Sequence, residues 1–342
     1  MTIFLFGSAG ICSLVTMNFI RQYCYKKGLL VEPRSDRWHK KPTPTFGGVG
    51  IFITFFICVV LSFLLDKSIL QSHWGILLAS ALAFLLGFLD DVYPISPVVK
   101  LISQFAIATI VIAAGYTTKF FTPRIPNEYL AFVLNIALTY IWIVGITNSV
   151  NLIDNMDGLA AGISLISSLI LSFFFWYAGN QSLLNISIAL AGSVLGFLIY
   201  NFPPASIFMG NSGSSFLGLT LAVLAIAREP QASNLFAVLG VPILIFLLPI
   251  IDVIFVTISR SIEGKSILQG GVDHTSHRLI AFGFSERKVL IILFGIALIA
   301  GISAGLLEYA NYWVSLILVP IMVVALTLLA IYLGGIKIRN NR

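Results

Sequence analysis

The stretch NLIDNMDGLAAG, Asn151–Gly162, sets Asn151, Asp154, Asn155 and Asp157 between two apolar runs, Tyr129–Thr147 and Gly158–Ala178. Each run is close to the roughly 20 residues that cross a bilayer as a helix. A polar knot between two such runs reads as a junction at a membrane surface, and the pattern recurs along the chain. Of the 342 residues, 58% are hydrophobic and 10% charged, and the mean hydropathy is +1.00. That composition excludes a water-soluble surface.

The expected fold is all-α and polytopic, with about 10–11 transmembrane helices. Spans are expected at Thr2–Gln22, Phe46–Leu65, Trp74–Leu89, Val98–Tyr116, Tyr129–Thr147, Gly158–Ala178, Leu183–Tyr200, Ser214–Ala227, Leu235–Ile258, Val289–Leu307 and Tyr312–Leu333. The loops 23–45, 90–97, 148–157, 201–213 and 259–288 then share one face of a single membrane domain, residues 1–342. The first run has no basic residue before it and Arg21, Lys26 and Lys27 after it, the reverse of a secretory signal peptide. With the N-terminus outside, only Lys67, Lys119, Arg124 and Arg228 of the 20 basic side chains fall on the outer side. The positive-inside rule therefore makes the C-terminus and the polar loops cytoplasmic. The net charge of +6 follows from this asymmetry and is no argument for nucleic acid. Cys12, Cys24 and Cys58 lie in or beside membrane helices and read as packing residues.

Polar residues confined to one face favour chemistry at the inner interface over transport, which would place ionisable groups near mid-bilayer; only Asp252 is a candidate there. Asp90 and Asp91 follow a helix ending GFL, where the helix dipole disfavours a carboxylate by about 0.3–1 kcal/mol, so a compensating cation is expected. Asn151, Asp154 and Asp157 are three apart and share a face of any helical path. Capping of the next helix by Asp157 or Asn155 and ligand binding are both open for this stretch. GNSGSS, Gly210–Ser215, opens an apolar helix with small residues and suits an anion such as a diphosphate at its N-terminus. Gly and Ser mark plain turns as well. Phe208 before it is a membrane anchor or a stacking platform. Asp273, His274 and His277 lack the further ligand that zinc needs, and phosphate binding or surface exposure fits them better. Asp252 is expected to pair with Arg260 or a loop cation.

In order along nearly the whole chain, TPTFGG (Thr43–Gly48), GFLDD (Gly87–Asp91) with Lys100 and Gln104 downstream, NSVNLIDNMDGL (Asn148–Leu159), NFPPASIFMG (Asn201–Gly210) and HTSHRL (His274–Leu279) resemble the polyprenyl-phosphate N-acetylhexosamine-1-phosphate transferases. The resemblance implies that a polyprenyl phosphate oxygen attacks the β-phosphorus of a UDP-N-acetylhexosamine, releasing UMP, with Mg²⁺, or Mn²⁺ in its place, on the diphosphate. It implies undecaprenyl phosphate or a related polyprenyl phosphate as acceptor, surrounding membrane lipids, a bacterial plasma-membrane location and, by analogy, a homodimer. Asp90 would orient the lipid phosphate or act as base, with Asp91 its partner near the metal and Asp154 a further catalytic carboxylate. Asn151 and Asp157 would hold the nucleotide, Phe208 would stack on uracil, and Lys41, Lys100, His274, His277 and Arg278 would contact phosphates or nucleotide.

Two departures stand out. The family usually reads FMGD with the Asp as metal ligand, whereas here the chain reads FMGN, leaving an uncharged Asn211 for that role. Ser276 stands where a further His is usual, and the HHH run of the muramoyl-pentapeptide enzymes is absent, which favours an N-acetylglucosamine-type sugar at the first membrane step of a cell-envelope polysaccharide. The alternatives are another UDP-N-acetylated sugar, a catalytically weakened binder of lipid phosphate or nucleotide, and a transporter.

Overall fold

The computed structural model describes residues 2–32, 42–65, 68–228, 235–262, 264, 271, 273–309, 313–317 and 320. It is helical nearly throughout: α1 (Thr2–Lys27), α2 (Gly47–Leu65), α3 (Ser68–Val92), α4 (Pro97–Ala113), α5 (Glu128–Ile153), α6 (Leu159–Tyr177), α7 (Gln181–Asn201), α8 (Gly210–Ala227), α9 (Leu235–Ile245), α10 (Leu247–Ile262), α11 (Thr275–Ala281) and α12 (Glu286–Tyr309). Two short strands, β1 (Leu30–Val31) and β2 (Thr43–Pro44), pair antiparallel ahead of α2. Among the described residues seven helices are long and apolar enough to cross a membrane, or eight if α9 and α10 form one span, and α2 and α4 are shorter apolar helices. The chain is thus an all-α, multi-pass membrane protein. Of the expected Tyr312–Leu333 span, only residues 313–317 and 320 are described, and they are helical.

Among the boundaries that differ from expectation, three bear on the polar residues. α3 runs on to Val92, so Asp90 and Asp91 stand on its last turn instead of in a loop. α5 continues through Ile153, which makes Asn148 and Asn151 helical and leaves Asp154 as its C-cap. The expected Leu235–Ile258 span breaks at Phe246, where α9 and α10 meet at 79°. Pro249 explains this break: it has no N–H to donate to the carbonyl of Ile245, one turn earlier.

Residues 1–229 and 230–342 form two compact units. In the first, α7 and α8 are the interior helices, with Phe197 and Phe216 fully buried. α7 carries Gly192 and Gly196 four apart, and a Cβ on either would strike Phe6, Ala9, Gly10 or Ser13 of α1. Ser13 Oγ donates to the Ser193 carbonyl across this contact at 2.6 Å. Small residues are what let membrane helices approach this closely, since lipid supplies no hydrophobic drive. Several other hydroxyls turn onto their own helices, as where Ser168, Ser172, Ser187 and Thr220 donate to carbonyls four residues back.

The same device brings α3 onto α8. A Cβ at Gly87 would overlap the backbone of Asn211 and Ser212. Gly87→Ala is therefore expected to destabilise the protein by about 1–3 kcal/mol through overpacking, exceeding the helix-propensity gain of roughly 1 kcal/mol. Gly145→Ala, with nothing within 4 Å of the added methyl, should leave the melting temperature unchanged or slightly raised. Thermal unfolding in detergent compares the two.

Candidate active site

Alternating helix directions gather the ends of α3, α5 and α7 and the starts of α2, α4, α6 and α8 at one end of the first unit. The link into α8 is strapped to the chain before α2: Phe208 N donates to Pro44 O, and Gly47 N and Gly48 N donate to the carbonyls of Phe208 and Met209, all within 2.7–2.8 Å. Gly210 then takes φ +76°, and a side chain there would also meet the Asp91 carboxylate. Only glycine serves at that turn.

Asp91 caps α8. Its Oδ1 accepts from Asn211 N at 2.7 Å and its Oδ2 from Ser212 N at 2.9 Å. The anion site read from GNSGSS is therefore filled by the protein's own carboxylate. Asp90, buried, accepts from Ile95 N at 2.9 Å, from Asn211 Nδ2 at 2.7 Å and from Lys100 Nζ at 2.5 Å. The expected compensating cation is thus Lys100 for Asp90, while helix amides compensate Asp91. Lys100 keeps 35% of its side chain exposed, and an ammonium has three donors, of which Asp90 needs one.

Asn211 links these carboxylates to α5, because its Oδ1 accepts from Asn151 Nδ2 at 3.1 Å. Asn151 Nδ2 is also 2.7 Å from Ser214 Oγ. Beside them Gln104 and Asn148 join through two amide bonds of 3.2 and 2.7 Å, fastening α4 to α5. Asn151 and Asp157 do not share a helix face, because α5 ends between them. Asp157 Oδ2 accepts from Ala205 N at 2.8 Å, and Asn155 reaches back to Leu152 O at 3.1 Å. Neither caps α6: its N-cap is Gly158, whose N–H goes to Asn201 Oδ1 at 2.9 Å. Asn201, buried, spans to Ile207 O as well, so it clamps the start of α6 to the segment leading into α8. Sequence reading gave Asn201 no role, and an amide before FPP carries no signal that would have found it. Asp154 and Phe208 are half-buried at the same end, and Lys41 lies outside the described residues.

A divalent cation was expected on Asp91 and Asn211. The donor set does not fit a resident one. Both Asp91 oxygens face α8 amides, Asp90 holds Lys100, and Asn211 must turn its NH₂ to Asp90 because a carboxylate can only accept. Among the described residues no three His, Cys, Asp or Glu side chains converge as a metal site would require.

The second unit carries a separate polar cluster. Asp252, expected to pair with Arg260 or a loop cation, pairs with His274 of the loop and not with Arg260: its Oδ2 holds His274 Nδ1 at 2.7 Å and its Oδ1 accepts from Thr275 N at 2.7 Å. Arg260 makes a bidentate pair with Asp273 at 2.6 Å for both contacts. Burial pushes the Asp273 pKa up, but the Arg260 hydrogen bonds and charge outweigh it and hold the carboxyl below its ordinary range. Arg278 donates to Ser259 Oγ at 3.0 Å and lies over the Phe255 ring at 4.6 Å. His277 is buried, which with the charge of His274 pushes its pKa down to about 4.

The profile of glycosyl transferase family 4 matches residues 73–229. A probable undecaprenyl-phosphate N-acetylglucosaminyl 1-phosphate transferase of Bacillus subtilis is 34% identical over 93% of the chain and 88% of its own length. A phospho-N-acetylmuramoyl-pentapeptide-transferase of Lactobacillus gasseri is 30% identical over 81% of the chain and 88% of its own. A decaprenyl-phosphate N-acetylglucosaminephosphotransferase of Mycolicibacterium smegmatis is 29% identical over 84% and 77%.

Asn211→Asp exchanges an amide donor for a carboxylate 2.7 Å from Asp90. In EDTA the variant should lose roughly 1–3 kcal/mol of stability, read as a lower melting temperature. Millimolar Mg²⁺ should restore it while leaving the parent protein unmoved. His277 has a folded pKa near 4 against 6.5 for the free side chain, so the unfolded chain binds the extra proton. Its stabilising contribution is complete above pH ~6.5 and lost as pH falls toward 4. Melting temperatures from pH 7 to 4.5 should fall, and His277→Gln should shallow that slope.

Proposed function

The chain belongs to glycosyl transferase family 4 and is a polyprenyl-phosphate N-acetylhexosamine-1-phosphate transferase, and we propose that its donor is UDP-N-acetylglucosamine, its acceptor undecaprenyl phosphate and its by-product UMP. The observation that carries this reading is the pairing of Asp90 with a half-exposed Lys100 at the helix ends of one side of the bundle. A lipid phosphate and a nucleotide diphosphate repel one another, and an ammonium held by a buried carboxylate is a preset cation for bringing them together. The lipid phosphate oxygen attacks the β-phosphorus, the bond from that phosphorus to the bridging oxygen breaks, and the oxygen leaves with UMP. A phosphate monoester is already largely ionised at pH 7, so Asp90 works mainly by orienting Lys100 and the acceptor. Asp91 acts by fixing the α8 N-terminus beside it, and Asn151, Asp154 and Asp157 line the nucleotide side, with Phe208 against the base. Mg²⁺, for which Mn²⁺ can substitute, would be carried on the nucleotide diphosphate, where it would take phosphate oxygens, keep several of its waters and offset the diphosphate charge.

The sugar assignment rests on the likeness to the Bacillus subtilis relative, together with the lack of an HHH run. Placement of the site on the cytoplasmic face is supported by Arg21, Lys26 and Lys27 toward the site end of α1, with Lys119, Arg124 and Arg228 toward the other. A product of this kind is the first lipid-linked intermediate of a cell-envelope polysaccharide. Asn211 supports a second reading, a weakened enzyme that retains lipid-phosphate or nucleotide binding.

The test is UMP release from UDP-N-acetylglucosamine by purified protein in detergent with Mg²⁺, with and without undecaprenyl phosphate. Release should require the lipid, and Asp90→Asn should lower kcat by about 10²–10³-fold through the loss of the charge that holds Lys100 in place. Folded protein that releases no UMP from any UDP-N-acetylhexosamine would favour the weakened binder. Faster release from a different UDP-sugar would reassign the donor alone.

A further inference from the structure

We infer that Gln104 and Asn148 are positioning residues for the transferase reaction, acting through Lys100: their paired amides hold α4 where the Lys100 ammonium stays on Asp90. The inference rests on the proposed role of the Asp90–Lys100 pair, and every residue in it belongs to the first unit. Polar side chains close a circuit through four helices. Asp90 on α3 holds Lys100 Nζ at 2.5 Å, and Gln104 follows Lys100 by one turn on the same face of α4. Gln104 joins Asn148 on α5, and Asn151 follows one turn later. Asn151 Nδ2 donates to Asn211 Oδ1 at the start of α8, and Asn211 Nδ2 returns to Asp90 Oδ2.

The α4 link depends on hydrogen bonds more than on burial. α4 lies against α3 and α5, and its Val98, Ile102 and Phe105 are exposed. Lipid is as apolar as these side chains, so interhelical hydrogen bonds are what set the position of such a helix. Gln104 is buried; its Nε2 donates to Asn148 Oδ1 at 3.2 Å and its Oε1 accepts from Asn148 Nδ2 at 2.7 Å. Asn148 Nδ2 also donates to the Val144 carbonyl at 2.8 Å, and because a carbonyl can only accept, the Asn148 amide faces one way. Gln104 and Lys100 are about 6 Å apart along the α4 axis, so a slide of the helix carries both together. Among the described residues the other side-chain bond from α4 to α5 is Thr109 Oγ1 to Tyr140 OH at 2.9 Å, which is exposed and more distant from Lys100.

Gln104→Met keeps the length of the side chain and removes both bonds. Competitive acylation of the full-length protein in detergent, read by mass spectrometry, compares Lys100 with the exposed Lys119. An amine tied to a carboxylate reacts slowly, so Lys100 should lag in the parent protein. Gln104→Met should raise its relative rate about 3- to 10-fold, the scale of one interhelical hydrogen bond in a membrane protein. Exchanging the two residues, Gln104→Asn with Asn148→Gln, keeps the combined length of the pair and should bring the rate back to within about twofold of the parent. Asp90→Asn frees Lys100 by itself, and in that background Gln104→Met should add nothing. Thr109→Val should leave the rate unchanged. In Gln104→Met, kcat for UMP release should fall about 3- to 10-fold with KM for the nucleotide within about threefold, the mark of an interaction made in the transition state, and the exchanged pair should recover most of it.

An unchanged Lys100 rate in Gln104→Met would overturn the inference, as would a rate that Thr109→Val raises equally or that the exchanged pair does not restore. Parental kcat in a variant whose Lys100 is freed would overturn it as well. Should Gln104→Met fail to fold, Asn148→Ser decides the matter. Its hydroxyl can still donate to the Val144 carbonyl but does not reach Gln104, so Lys100 must again react faster. Absence of turnover from any UDP-sugar would instead remove the proposed function, and the labelling would still decide whether the amide pair holds Lys100 on Asp90.

Discussion

The arrangement depends on one carboxylate capping one helix. Asp91 leaves the last turn of α3, where the helix dipole opposes it by about 0.3–1 kcal/mol, and accepts two N–H groups from the first turn of α8. Hydrogen bonds to a charged group contribute about 1.5–3 kcal/mol each, so the cross-helix gain outweighs the local cost. The bonds form because Gly87 lets the α3 backbone lie against Asn211 and Ser212, and because Gly210 adopts a left-handed turn beside the carboxylate. Everything else at that end of the first unit hangs on the position of α8.

Around this cap most polar groups satisfy one another, the buried Ser212 hydroxyl excepted. Asp90 takes Lys100, the Asn211 amide and the Ile95 N–H, and Asn211 passes the link to Asn151 on α5. An aspartate at 211 would set three carboxylates beside one lysine, whereas the amide leaves two and donates to one of them. The site is thus preorganised in a low-dielectric setting where unpaired charge is costly. Lys100 holds Asp90 and keeps part of its side chain exposed at that end.

The second unit follows the same rule with different residues. Asp252 and Asp273 would be costly alone, and each is offset by its own partner, His274 or Arg260. The broken α9–α10 pair carries both Asp252 and Arg260 on its second half. The bend that Pro249 imposes therefore belongs to the segment that holds the histidine loop.

Much of the protein was legible in its sequence. Apolar runs near bilayer length determine the helices, because lipid offers backbone amides no other partner. The order TPTFGG, GFLDD, NSVNLIDNMDGL, NFPPASIFMG and HTSHRL determines the family, as the similarity to the Bacillus subtilis enzyme bears out. Partners were not legible, since a hydrogen bond between residues 120 positions apart leaves no trace in spacing. Asn151 and Asp157 looked like one face until α5 ended between them, and GNSGSS looked like an open anion site until Asp91 filled it. For Asp252 the sequence left Arg260 and a loop cation open, and its partner is the loop residue His274. Only the tertiary structure decided these, because which acceptor meets which donor is set by the close approach of helix backbones, and that approach depends on glycines whose contacts lie on other helices.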